Sequence, residues 1–149
     1  MQKRISINKE APAAYAAMVE LSNYIATTSL EPLEKELIKL RASQLNNCAF
    51  CINMHAADAR KLGDTEHRIY VLSAWREARH LYTETEQAIL ALTEEVTLIA
   101  NHGVSEETYA EAERILGPLK LSEVIMAIIT INAWNRIGVT THLHVAKAK

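Results

Sequence analysis

Cys48 and Cys51 lie three residues apart, and His55 follows the second by four. They are the only cysteines of the chain, and Phe50 between them is its only phenylalanine. On a helix these intervals put Cys48, Cys51 and His55 on one face, one above the other. A thiol pair that can close to a disulfide, with an imidazole one turn away, is a redox unit. The Asn46-Asn47 turn pair precedes it, so the motif opens a helix. Unpaired backbone N–H groups at such an end favour the thiolate, which is the reactive form. His55 can take the proton as a general base. A thiolate that attacks a peroxide oxygen becomes a sulfenic acid, and the neighbouring thiol condenses with it to a disulfide. An external reductant then resets the pair.

A fourth residue joins them by helical phase. On the preceding helix Leu33, Leu37, Ile38, Leu40 and Leu45 are the apolar positions. Glu36 lies three residues after Leu33 and four before Leu40, and so points with them. Glu34, Lys35 and Lys39 can turn to water. A carboxylate facing a core is costly without a partner. His55 is one candidate, because the Asn46-Asn47 turn folds the two helices back on each other. Burial would raise the Glu36 pKa and a charged neighbour would lower it. The structural alternative has Glu36 snorkelling, or pairing with Arg41 at the surface. For the cysteines there are two alternatives. They could be buried as small hydrophobes. They could also join His55 as zinc ligands, but a structural site needs a fourth ligand and no second Cys-x-x-Cys exists.

The elements that must hold these residues are helices. Only four glycines and three prolines interrupt 149 residues, which argues against a β-sandwich. Pro12 suits a first helical turn, and a helix is expected from Ala13 to about Ile25. Pro32 opens a second, to about Leu45. The third carries the cysteines and ends at Gly63, a natural C-cap. Asp64-Thr65 caps a fourth through Tyr70, Leu72 and Trp75. Thr83 caps a fifth from Glu84 to about Ala100. Ser105 caps a sixth to Leu116, closed by Gly117-Pro118. Ser122 caps the last, which runs through Val124, Ile125, Ile128, Ile129, Ile131 and Trp134 to Gly138. That helix is apolar nearly all round between Val124 and Ile131, so burial on every side is expected, partly between subunits. The expected fold is all-α, one domain over residues 1–149, a compact bundle of about six to seven helices.

Composition narrows the function. A net charge of −2 with mixed signs suggests neither a nucleic-acid surface nor a polybasic membrane patch. No apolar run approaches a membrane span, and Met1 to Ser6 lacks the apolar core of a signal peptide. Two cysteines are too few for a secreted disulfide scaffold. A cytoplasmic protein is expected. Among the other polar residues, Asn132 and Asn135 beside Arg136 read as structural amides. Trp75 and Trp134 read as core or interface anchors. His142 and His144 flank Leu143 in what reads as an untethered tail. His67, His80 and His102 sit near helix ends and converge on nothing.

Glu36, Cys48-x-x-Cys51 and His55 together resemble the signature of the AhpD-like alkylhydroperoxidase group of the carboxymuconolactone decarboxylase superfamily. Leu40 to Asn46, Asn53 to Lys61 and Ile131 to Gly138 carry the resemblance further, over roughly residues 10–140. It implies an all-helical fold assembled as a trimer, or as a hexamer built from dimers. It implies a peroxidase site with no metal, haem or other cofactor, in which a hydroperoxide is reduced for antioxidant defence. A lipoyl-type or thioredoxin-type dithiol would supply the electrons. By the group's pattern Cys51 attacks, Cys48 resolves, and His55 with Glu36 forms the proton relay. Proximity to the helix start alone would favour Cys48 as the attacking thiol. The chain departs from the pattern at Phe50, where well-studied members have His or Tyr. A phenyl ring cannot pass a proton. Two other functions stay open, a general disulfide reductase and a non-enzymatic redox-sensing or assembly subunit.

Overall fold

Pro32 starts the helix on which the rest is built. Its missing N–H is no loss in a first turn, and the Glu31 N–H is taken up by Glu34 Oε2 at 2.9 Å, closing the turn on itself. The computed structural model describes residues 4–145. Within them lie seven α-helices: α1 (Ile7–Glu10), α2 (Pro12–Thr27), α3 (Pro32–Leu45), α4 (Ala49–Lys61), α5 (Glu66–Val71), α6 (Glu84–Thr97) and α7 (Glu106–Thr141). Two short 3₁₀ turns, Leu72–Ala74 and Arg79–Leu81, connect α5 to α6. No strand occurs among the described residues. The all-α expectation holds.

α3 is central because it is apolar on two sides. Ile38 and Ala42 pack with Ile89 and Leu92 of α6 and with Val124, Ala127 and Ile128 of α7. Leu37 and Leu40 face the other way, against Leu72, Trp75, Tyr82 and Leu90. Full burial of each such aliphatic side chain contributes about 1.5–3 kcal/mol. Thr83 and Glu86 form a reciprocal cap at the start of α6, at 2.8 and 3.2 Å. Ser105 caps α7 through the Thr108 N–H at 3.2 Å, as expected.

Several boundaries differ from the sequence-based expectation. α5 stops at Val71, before Trp75, and α6 stops at Thr97. The sixth and last predicted helices are joined across a kink in α7. Gly117 takes φ +70°, which only glycine adopts freely, and Pro118 restarts the helix. Ser122 is therefore inside α7, its hydroxyl donating to the Leu119 carbonyl at 2.7 Å. Ile129 is 45% exposed, so α7 is not buried on every side in the single chain. An 18-residue window of α7, mean hydropathy 1.5, is long and apolar enough to span a membrane, contrary to the sequence reading. Here its apolar face forms the bundle core with α3 and α6. Met1, Gln2 and Lys3 of the N-terminal stretch fall outside the described residues.

Candidate active site

The turn between α3 and α4 sets the cysteines. Asn47 takes φ +54°, a left-handed conformation that Asn tolerates better than most residues. The chain reverses there, and the Cys48 N–H returns to the Ser43 carbonyl at 3.0 Å. Asn46 ties the turn to α7: its Nδ2 donates to Asn132 Oδ1 at 2.9 Å and Asn135 Oδ1 at 3.0 Å. Asn135 in turn donates to the Ser43 hydroxyl at 2.9 Å. Asn132 and Asn135 thus have the structural role read from the sequence, and they also fix where α4 begins.

Cys48 is the N-cap of α4. It is joined to Cys51 by a disulfide, with the Cα atoms 5.3 Å apart. The Cys51 N–H also points to Cys48 Sγ at 3.4 Å, so one sulfur receives the partial positive charge of the helix end. Both residues are buried. With the thiols joined, the zinc reading of Cys48, Cys51 and His55 loses two of its ligands in this state.

One turn beyond Cys51, His55 meets Glu36 of α3, Nδ1 to Oε2 at 2.8 Å. The helical phase of Glu36 is confirmed, and the alternative pairing is not: Arg41 goes to Glu94 at 2.7 Å instead. Glu36 is 7% exposed. Burial by itself pushes its pKa up, but hydrogen bonds from His55 and Lys39, with the Lys39 charge, outweigh this and hold the carboxyl below its ordinary value. Glu36 is thus an ionised, doubly paired carboxylate. The sequence reading sent Lys39 to water, whereas its Nζ lies 2.7 Å from Glu36 Oε1. The three-residue spacing within one helix was the available signal. Glu34, also expected to face water, is buried against Lys120 at 2.7 Å.

Glu36, Lys39, Phe50, Cys51 and His55 all line one cavity of about 940 Å³. Cys48 is not among its lining residues; it sits behind Cys51, toward α7. There Gly138 lets the α7 backbone approach. A Cβ on Gly138 would lie 3.1 Å from Cys48 Sγ and 3.6 Å from Cys51 Sγ. Trp134 lines the cavity as well, its indole N–H bonded to the Ser22 hydroxyl at 2.8 Å and its ring edge-on to Tyr15. Trp75, by contrast, is a core residue. The tail is not untethered. His142 takes φ +54°, the Leu143 N–H returns to the Gly138 carbonyl at 3.0 Å, and His142, Leu143 and His144 join the cavity wall. Neither Gly138 nor this reversal has a signal in local spacing.

Metal ligation has little to build on here. Glu36, His55 and Asp58 bring ligand atoms within 4.8 Å of one another. Both carboxylates are already paired, with Lys39 and Lys61, each at 2.7 Å, and those ammonium groups compete with a cation.

Comparison with known proteins gives the family and the fold. The model of the carboxymuconolactone decarboxylase family matches residues 12–95. The uncharacterized protein YdfG of Bacillus subtilis is 40% identical over 139 residues, covering 93% of this chain and 94% of its own. A crystal structure from Agrobacterium tumefaciens superposes with a TM-score of 0.92 at 37% identity, over 98% of this chain and all of that one. That protein is described as of unknown function, with AhpD of antioxidant defence as its suggested identity. An uncharacterized peroxidase-related protein from Silicibacter shares the fold, with a TM-score of 0.76 at 19% identity, over 87% of this chain and 68% of its own. The matched segment runs from α2 through most of α6 and contains all four candidate residues, so the chain belongs to the carboxymuconolactone decarboxylase family, in its AhpD-like group.

Proposed function

We propose that the protein is a thiol-dependent hydroperoxide reductase serving antioxidant defence. The observation that carries this is the placement of Cys51. It alone of the two sulfurs lines the cavity, in company with the Glu36–His55 pair. Cys48 stands behind it at bonding distance. In the reduced enzyme His55 takes the Cys51 proton, with Glu36 steadying the imidazole. The thiolate attacks the distal peroxide oxygen, the O–O bond breaks, and Cys51 becomes a sulfenic acid. The alkoxide leaves as an alcohol with the proton held by His55. The Cys48 thiol then displaces hydroxide from the Cys51 sulfur, giving the disulfide and water. A dithiol donor reduces the disulfide and is itself oxidised. The net change is one hydroperoxide and one dithiol to one alcohol, one water and one disulfide.

This order assigns attack to Cys51 and resolution to Cys48. Helix-end stabilisation reaches both, since Cys48 is the cap and Cys51 lies in the first turn. Access decides between them. The group resemblance further supports a lipoyl-type or thioredoxin-type donor, a trimeric or hexameric assembly and a cytoplasmic setting, and these form part of the proposal.

Cys51→Ser is expected to abolish hydroperoxide-dependent thiol consumption. Cys48→Ser is expected to stop after one turnover with a sulfenic acid at Cys51, trapped by a 1,3-dione and read by mass spectrometry. Wild-type turnover by Cys51→Ser would refute the proposal. Phe50 favours a second reading, because this residue of the cavity wall, next to Cys51 in the chain, cannot carry a proton. On that reading the disulfide switches an assembly or binding surface and turnover is slow. Sizing the oxidised and reduced forms distinguishes it, since only a sensor requires the two to differ.

A further inference from the structure

The cavity beside Cys51 carries more positive charge than the thiol chemistry uses. Arg4, Lys35 and Lys39 line it against a single carboxylate, Glu36, although the whole chain has a net charge of −2. Lys39 is committed to Glu36. Lys35 instead directs Nζ to the carbonyl oxygens of Ala26 at 3.1 Å and Thr28 at 3.4 Å, at the end of α2. Arg4 donates to the Thr140 carbonyl at 2.6 Å, near the end of α7. Among the described residues neither Arg4 nor Lys35 has a carboxylate partner. Each retains N–H donors beyond those bonds. The walls between them are apolar, with Ile25, Ile131, Trp134, Ile137 and Leu143. A space of about 940 Å³ is far more than hydrogen peroxide fills and falls in the range of pockets for larger ligands.

We infer that this cavity takes an anionic amphiphile, an apolar chain ending in a carboxylate. Joined to the peroxidase reading, on which this clause rests, the substrate is a fatty-acid-type hydroperoxide with a free acid group. A neutral alkyl hydroperoxide would cover the apolar walls but leave both cations without a counter-charge. A carboxylate gains charge-assisted hydrogen bonds from them, roughly twice as strong as neutral ones. Arg4 is exposed and Lys35 half-buried, so added salt should weaken that attraction.

Decanoate and 1-decanol share a chain and differ in the head group. Each is titrated below its micellar range into the full-length protein, with calorimetry and tryptophan fluorescence as readouts. Decanoate is expected to bind on the order of tenfold more tightly, the effect of one charge-assisted hydrogen bond. Lys35→Gln and Arg4→Gln should each shrink that preference. Equal binding of the two ligands overturns the assignment. So does an absence of decanoate binding. The hydroperoxide of linoleic acid is then compared with that of its methyl ester. Decanoate binding without turnover of either upholds the ligand class and sinks the peroxidase reading. Equal kcat/KM for both sinks the ligand class and leaves the peroxidase standing.

Discussion

Glu36 and Glu86 are buried alike, each 7% exposed, yet their surroundings give them different uses. Glu86 meets Arg68 Nη2 at 2.7 Å and accepts the Thr83 N–H at 2.8 Å. Arg68 also approaches Asp64 at 2.8 Å, donates to the Leu81 carbonyl at 2.6 Å and stacks on the Tyr82 ring. Burial pushes the Tyr82 phenol up to about 12, so that group stays neutral. A guanidinium does not give up its proton, and every member of the cluster is tied to an element it joins. The cluster clamps α5 to the start of α6. Glu36 has an imidazole for a partner instead, and both open onto the cavity. Imidazole exchanges its proton near neutral pH. Equal burial therefore does not distinguish a carboxylate that clamps two elements from one that, on the proposed mechanism, serves proton transfer; the partner and the access do.

That contrast can be broken most forcefully at the clamp. Arg68→Met is expected to cost about 3–5 kcal/mol, because it leaves buried carboxylates uncompensated. Thermal unfolding would show the loss, while hydroperoxide turnover per folded molecule should hold. A collapse of turnover in the folded fraction would mean that the two regions are coupled.

Glu36→Gln is the converse. It keeps the shape and removes the charge, so turnover should fall on the order of 10–100-fold, within the contribution of general acid–base catalysis. Stability at neutral pH should change less than in Arg68→Met.

Gly138→Ala sharpens the picture behind the sulfurs. At an open helical site this change stabilises by roughly 0.5–1 kcal/mol. Here the new methyl group meets Cys48 Sγ at 3.1 Å, and the disulfide holds that sulfur in place. Overpacking costs about 1–3 kcal/mol, so the oxidised form should lose about 1 kcal/mol net. Reduction frees the Cys48 side chain to turn away and removes the overpacking, while the helix gain stays in both forms, so the variant disulfide should be easier to reduce by roughly 20–65 mV. Equilibration with a dithiol buffer measures it; an unchanged potential would show that the contact relaxes elsewhere.

The smallest effect expected is in acid. The folded-state pKa of Glu36 is depressed below the ordinary 4.5, so its contribution to stability is present above that value. It is lost as pH falls through the folded-state pKa. The unfolding midpoints of wild type and Glu36→Gln should therefore begin to draw together as pH falls past 4.5 and meet only below the lowered folded-state pKa. Parallel curves throughout would count against an ionised Glu36.

The residues that local periodicity governs were legible in the sequence. Cys48, Cys51 and His55 share a face because the helix repeat puts them there. Glu36 followed from its phase among leucines, and its partner from the tight Asn46-Asn47 reversal. A lysine usually faces water, yet the three-residue offset of Lys39 from Glu36 on one helix brings the two together. Gly-Pro commonly ends a helix, but here Pro118 starts helix again directly after the kink at Gly117. Arg4 and the His142–His144 wall had no local signal at all. Arg4 meets Thr140 across 136 positions, and closures of that kind are decided by how the bundle packs.

One bond described above also sets a direction for proton traffic. An ionised carboxylate can only accept, so the hydrogen between Oε2 of Glu36 and the ring belongs to Nδ1 of His55. The neutral imidazole is then held in a single tautomer, with its lone pair on Nε2. Protons must enter and leave by that one nitrogen, and nitrogen-15 shifts of the ring should report a lopsided pair rather than an average.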